Sequence, residues 1–375
     1  MNGHFPALRK SQLDIRNEDI AIKPERSLKR MGVSLPDLSQ SIDPNSPDAK
    51  KIIEGLMAFE LDRGGLAVSS IYMLASVLRT WDRYCQERNV FAFPVTKEYV
   101  LGWLRYERFK NQKSVETIRQ YRAQMTYLLK WIGVAHPFDA REVVAFMSSL
   151  KKDQAELTKS SYRQRQAFGM RGRDLLAIIE TLPIDQPHNL RNLALACCAY
   201  STMLRESEIG RIRRKDVIVR PDNTVLIERT HSKTSANVAS KLIIGVFAGI
   251  MRLYLYEISS QIQSDGYIFS QMSKTGKLLS PGVPMSGQTI DRSLSSLYLF
   301  AQSKGIVFQS PNPKPWTGHS GRTGGVQDAF MSGMSDAQLM QLGDWSSSEM
   351  VQRYVRELDY ANSANALNQS KLFSK

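Results

Sequence analysis

Apolar residues fall into helical spacing from about Ile52 onward. Ile52, Ile53, Leu56, Met57 and Phe59 line one side of a first helix, and Ile71, Leu74, Val77, Leu78 and Trp81 line a second. Further amphipathic runs cover Lys97 to Phe109 and Val115 to Ile132, with Gly133 and Pro137 as stop signals. Residues 49–150 therefore read as an all-helical domain of four or so helices. Residues 1–48 mix Ser, Pro, Asp, Arg and Lys without a sustained period and predict a mobile tail. The segment 151–173 is polar and strongly basic. It predicts a linker, with a solvated charged helix face as the alternative.

The pattern changes in the second half, 174–375. Helices at about Asp174 to Thr181 and Leu190 to Met203 give way to period-two runs at Asp216 to Arg220, Thr224 to Arg229 and Val238 to Ile243. Pro221-Asp222-Asn223 supplies the first turn. Helical spacing resumes from about Phe247 and holds to the C-terminus. The chain is thus predicted to be mainly α, with one small three-stranded antiparallel sheet in its second domain and no internal repeat.

Length and charge sharpen this picture. A chain of 375 residues is long enough for about two domains, each with its own core. Fifty Lys and Arg against thirty-six Asp and Glu leave a net charge of +14, which favours a polyanionic partner. No apolar run approaches the ~18 to 20 residues of a membrane span, since Leu242 to Met251 stops at Arg252. The N-terminus has no apolar signal core, so a cytoplasmic protein is expected. The three cysteines, Cys85 and the adjacent Cys197 and Cys198, offer no disulfide framework and read as buried thiols. Five scattered histidines without a Cys-x-x-Cys predict no zinc site. No carboxylate cluster suggests magnesium, and no Gly-rich Lys-Ser/Thr loop suggests nucleotide hydrolysis; no cofactor is expected.

The most informative stretch runs from Trp316 to Leu358. His319 and Arg322 lie three apart and face one side of a helix. Ser335 with Gln338 and Ser346 with Glu349 predict two capping boxes, Gly343 a helix stop, and Tyr354 a place in the last helix. Upstream, Arg205 follows an apolar helix with Glu208 three residues on. Taken singly, Tyr354 is an amphipathic core residue, His319 a satisfied residue at a helix start, Trp345 a core anchor and Lys233 a turn lysine.

Read together, these segments resemble the tyrosine recombinase (phage integrase) family, its Cre-type members in particular. Arg205, Lys233, His319, Arg322, Trp345 and Tyr354 stand in the family's order, with Trp345 where many members carry His. The flanks LAVSSIYMLASVLRTWDRYC, SVETIRQYRAQMTYLL and LRNLALACCAYSTMLRESEI extend the likeness over roughly Ser69 to Lys375. The longer N-terminal tail and Glu116 amid the groove-facing helix are departures.

The resemblance implies a site-specific DNA recombinase that works without metal or nucleotide. The two arginines suit a phosphate, because a planar, permanently charged fork bonds non-bridging oxygens in pairs. His319 donates to the phosphate or relays the tyrosine's proton, Trp345 packs the site and offers its indole N–H, and Tyr354 is the nucleophile. Lys233 is the general acid, with Lys241 nearby as a rival, and Glu208 orients an arginine or lysine.

The resemblance further implies Met73, Thr117 and Gln120 as groove-reading residues of a core-binding domain, and Lys274 and Arg292 as DNA contacts of the catalytic domain. It implies duplex DNA with an inverted-repeat site as partner, a homotetramer on two synapsed sites, a Holliday junction, and a C-terminal exchange helix from about residue 358. No membrane and no small-molecule substrate enter. A type IB topoisomerase or telomere resolvase, and a non-catalytic architectural DNA-binding protein, remain as alternatives.

Overall fold

The computed structural model describes residues 35–62, 66–157, 167–228, 240–306, 313–355 and 358. Two compact units divide the chain, Met1–Arg163 and Gln164–Lys375. The architecture is mainly helical with one three-stranded antiparallel sheet, as the periodicity predicts.

The described part of the first unit is built from α1 (Ala49–Asp62), α2 (Val68–Gln86), α3 (Lys97–Arg105), α4 (Val115–Trp131) and α5 (Arg141–Leu157). Capping explains two of the starts: Thr96 Oγ1 accepts the Tyr99 N–H, and Ser114 Oγ accepts that of Thr117. The inward sides of the helices meet in a core around Leu74, Leu78, Trp81, Trp103, Leu104 and Met125. Trp81 and Trp103 pack edge to face with centroids 5.3 Å apart, and the Trp81 indole N–H donates to the Ala92 carbonyl.

Two sequence boundaries move. Leu38 and Ile42 are buried in this core, and Ala92 and Phe93 both donate their N–H groups to the Ser41 carbonyl. Single apolar residues in a polar stretch carry no period, which hid this anchor within the expected tail. Helix α5 runs past Leu150 to Leu157, so the basic segment begins as helix rather than as linker.

The second unit begins with α6 (Gly172–Thr181), α7 (Pro187–Thr202) and the single turn α8 (Glu206–Ile209). The sheet follows as β1 (Val217–Val219), β2 (Val225–Ile227) and β3 (Lys241–Ile243), in the order β1-β2-β3 with Val217 opposite Ile227 and Ile227 opposite Lys241. Helices α9 (Gly245–Glu257), α10 (Gly287–Ser303), α11 (Ser320–Met331), α12 (Asp336–Gly343) and α13 (Ser348–Val355) make up the rest of its described part. The strands are shorter than predicted, and Asp216 sits in a 3₁₀ turn before β1.

Helix α7 is the centre of this unit. Every residue from Leu190 to Ala199 is buried, Cys197 and Cys198 included, and α9, α10 and α11 pack around it. Its buried Arg191 donates to the Asn192 side chain at 2.8 and 3.1 Å and to Ser293 Oγ at 3.3 Å, which answers the cost of hiding a guanidinium. Gly321 lets α11 approach: a Cβ there would stand 2.7 Å from the Ala199 carbonyl carbon.

The end of the basic segment also belongs to this unit. Met170 is fully buried and its N–H donates to the Ser320 carbonyl. Asp328 on α11 gathers Arg171 Nε at 2.5 Å, the Gly172 N–H at 2.8 Å and the Tyr200 hydroxyl at 2.8 Å. Residues 170–173 are therefore fastened rather than free.

Candidate active site

Helix α7 ends at Met203, whose φ of 50° and ψ of 26° put a side-chain-bearing residue in the left-handed region. Such a conformation costs roughly 1–3 kcal/mol. It turns the chain sharply between α7 and Arg205, and its carbonyl accepts Arg322 Nη1 at 2.7 Å. Arg205 caps α8. Glu208 accepts both the Arg205 backbone N–H, at 2.8 Å, and its Nη1, at 3.2 Å.

Helix α11 supplies His319 at its N-cap and Arg322 one turn in. The turn before it is tied by the Gly318 N–H to Asp291 Oδ1 at 2.8 Å and by the Thr317 N–H to Ser320 Oγ at 2.9 Å. His319 stays open to solvent on one side. Its partial burial, then the positive charge of Arg322 and of Arg205, hold the imidazole below the usual histidine range, with Asp291 opposing. At neutral pH the ring is therefore neutral and has one nitrogen free to accept a proton.

Arg322 is only 2% exposed. It is not the open fork that the residue type alone suggests: Nη1 and Nη2 donate to the carbonyls of Met203 and Gly343, the latter at 2.5 Å, and Nε is buried without a hydrogen-bond partner among the described residues. Its guanidinium carbon lies 4.3 Å from the Trp345 ring centroid and 5.9 Å from that of Tyr354. Burial lowers its pKa, Tyr354 and Glu208 oppose that, and Arg205 adds to it. Trp345 and Tyr354 pack together with centroids 5.0 Å apart, in a small core with Met203, Val326, Leu339 and Val351. Gln327 Nε2 donates to the Tyr354 carbonyl at 3.2 Å, which fixes α13 against α11.

The Ser335–Gln338 capping box forms as predicted. The second box does not. Helix α13 opens at Ser348, whose hydroxyl donates to the Asp336 carboxylate, while Ser346 Oγ donates to the Met350 sulfur. The stop after α12 is shifted as well: Asp344 takes the left-handed conformation, φ 52°, whereas Gly343 is glycine because a Cβ would collide with the Trp345 ring.

Arg205, Glu208, His319, Arg322, Trp345 and Tyr354 are thus brought together. Lys233 lies outside the described residues. Its rival Lys241 is buried on β3, with Nζ 2.7 Å from the Leu342 carbonyl and 3.2 Å from Asp344 Oδ2. Lys274 and Arg292 are exposed, Lys274 in the turn closed by Ser273 and Lys277. In the first unit Met73 and Thr117 are half-buried and Gln120 is exposed. The Thr117 hydroxyl is 2.8 Å from Ser114 Oγ. Gln120 lines an open groove of about 860 Å³ in the first unit with Glu116, Arg119, Tyr127, Val144 and Met147.

Sequence reading missed Met203, Gln327 and the Lys241–Asp344 pair. The Gly324-Gly325 run was the available signal, since paired glycines in a helix mark a close neighbour and make the next polar residue, Gln327, a buried one.

The family model described as the phage integrase family matches residues 170–360. Recombinase Cre of Escherichia phage P1 is 28% identical over 327 residues, which cover 85% of this chain and 92% of that protein. The fold is shared with the XerH site-specific recombinase bound to a palindromic difH substrate, at a TM-score of 0.55 and 12% identity over 90% of this chain and 93% of that one. It is also shared with the Tn1549 transposon integrase in complex with a circular intermediate DNA, at 0.53 and 13% over 86% and 98%. With the model match spanning half of the sequence, and with arginines, histidine, tryptophan and tyrosine gathered on that fold, the chain belongs to the phage integrase family of tyrosine recombinases.

Proposed function

We propose that the chain recombines duplex DNA at a specific site through a covalent bond to Tyr354. The Tyr354 hydroxyl attacks a backbone phosphorus while the bond to the 5′ oxygen breaks, leaving a 3′-phosphotyrosyl link. Neutral His319 takes the phenol's proton and Lys233 gives one to the departing 5′ oxygen. Arg205 and Arg322 draw off the charge that builds on the non-bridging oxygens. A 5′ hydroxyl from the partner strand then attacks the phosphotyrosine and frees Tyr354. The energy of the broken bond is kept in the link, so no nucleotide is consumed.

The observation that carries this reading is the packing of Arg322 against Trp345 and Tyr354, with the buried Nε–H left unpaired among the described residues. A buried donor without a partner costs about 1–3 kcal/mol, a cost a phosphate oxygen would remove. The helical unit would read the major groove with Met73, Thr117 and Gln120, and Lys274 and Arg292 would add contacts from the catalytic unit. Two protomers on an inverted repeat, four on two synapsed sites, and exchange through a Holliday junction complete the proposal. Residues from 359 onward, outside the described residues, would dock on the neighbouring protomer.

A nicked suicide substrate tests it, in EDTA and without nucleotide. Wild type should trap a 3′-phosphotyrosyl adduct. Tyr354→Phe should form none while binding a half-site with unchanged affinity. An adduct with the Phe variant moves the nucleophile elsewhere, and supercoil relaxation without exchange of partners makes the chain a topoisomerase.

A further inference from the structure

The turn that closes α12 is held from two sides. On one side the Gly343 carbonyl accepts Arg322 Nη2, and Trp345 lies under the same guanidinium. On the other, Lys241 reaches across from β3 and bonds the residues flanking Gly343, the Leu342 carbonyl at 2.7 Å and the Asp344 carboxylate at 3.2 Å. Lys241 is 7% exposed, and the Asp344 side chain 17%. Burying an ammonium costs several kcal/mol unless a counter-charge and hydrogen bonds answer it, and this turn supplies one of each. Asp344 is at the left-handed position, which Asp tolerates, so its backbone sets the turn while its carboxylate fixes the turn to the sheet.

We infer that Lys241 and Asp344 are a positioning pair for DNA cleavage: their ion pair, by clamping the Leu342–Asp344 turn, sets the Gly343 carbonyl and the Trp345 ring against Arg322. This rests on the cleavage reaction proposed above. Lys241 is then not the proton donor. Its ammonium is committed to a carbonyl and a carboxylate, and its effect on the reaction passes through Arg322. A misplacement of about 1 Å at such a remove is enough to slow a reaction about 100-fold.

The test is single-turnover cleavage of a suicide substrate by the full chain at saturating protein. The variants are Lys241→Met, Lys241→Arg, Asp344→Asn and the double variant Lys241→Met/Asp344→Asn. The double variant removes both charges of the ion pair together, which keeps a folded form available if Lys241→Met alone does not fold. The cleavage rate constant should fall about 10- to 100-fold in the Asn and double variants, with half-site affinity and the final cleaved fraction unchanged. Lys241→Arg should recover part of the rate, and the double variant should be no slower than the slower single one. The defect should be equally large on a substrate whose bridging 5′ oxygen is replaced by sulfur, which needs no proton donor.

Wild-type rates in the double variant overturn the inference. Rescue of Lys241→Met by sulfur also overturns it and makes Lys241 the acid. A smaller cleaved fraction at an unchanged rate constant makes the pair merely structural. An absence of adduct with wild type itself is a separate result, which removes the recombinase reading and the inference together.

Discussion

Helices α4 and α7 are nearly equal in length, 17 and 16 residues, and opposite in what they hide. Helix α4 buries Val115, Ile118, Met125, Leu128 and Leu129 on one side and leaves Glu116, Arg119 and Gln120 on the other. Helix α7 hides nearly its whole circumference, and what it offers the site comes from its C-terminal end, where the Met203 carbonyl and Arg205 meet α11. A helix with one free side can change its outward residues without losing its place. A helix packed all round places reactive groups accurately, and any change along it is felt by the fold.

The largest expected effect concerns the end of α7. Arg322→Lys keeps a positive charge but loses the planar fork that bridges Met203 and Gly343, and should slow cleavage about 100- to 1,000-fold while half-site binding persists. Single-turnover kinetics would show it, and a rate within about threefold of wild type would undo the contrast between placing and presenting. Next in size, Gly321→Val pushes side-chain atoms into the α7 backbone at Ala199 and should cost about 1–3 kcal/mol in urea unfolding.

The matching change on α4 is Gln120→Ala. It should leave stability within about 0.5 kcal/mol and weaken discrimination at one base pair by about 1–3 kcal/mol, measured by competition binding with single-site DNA variants. A stability loss like that of Gly321→Val would mean that α4 is no freer than α7.

The smallest effect is a titration. His319 should titrate below 6.5 in the DNA-free protein, as followed by imidazole NMR, and Asp291→Asn should lower its midpoint further. Between that midpoint and 6.5 the unfolded chain binds the extra proton and the folded one does not. His319 thus contributes stability above 6.5 that is lost as pH falls through this window. A midpoint at or above 6.5 would show that burial and the two arginines do not govern the ring.

The sequence made legible whatever depended on period or on residue order. The helices of the first unit and the sheet show in the spacing of apolar residues, the resemblance supplies the order from Arg205 to Tyr354, and Glu208 hydrogen-bonds Arg205. What escaped depends on contacts between distant segments. Leu38 and Ile42 have no periodic neighbours to betray that they are buried. Gly343 looks like a helix stop and is instead space for Trp345, while the left-handed residue is Asp344. Arg322 looks like an open fork and is instead tucked between two carbonyls that lie 119 and 21 residues away in the chain.

The buried thiols have a consequence of another kind. Cys85, Cys197 and Cys198 are all free and enclosed, and burial raises each above its ordinary range, Cys85 and Cys198 to about 12. Oxidants and alkylating agents act on the exposed thiolate, and almost none exists here at neutral pH. Sulfur is by nature a better nucleophile than a phenol. With all three thiols shut away, the proposed attack by the Tyr354 hydroxyl would have no thiolate of the same chain to compete with it.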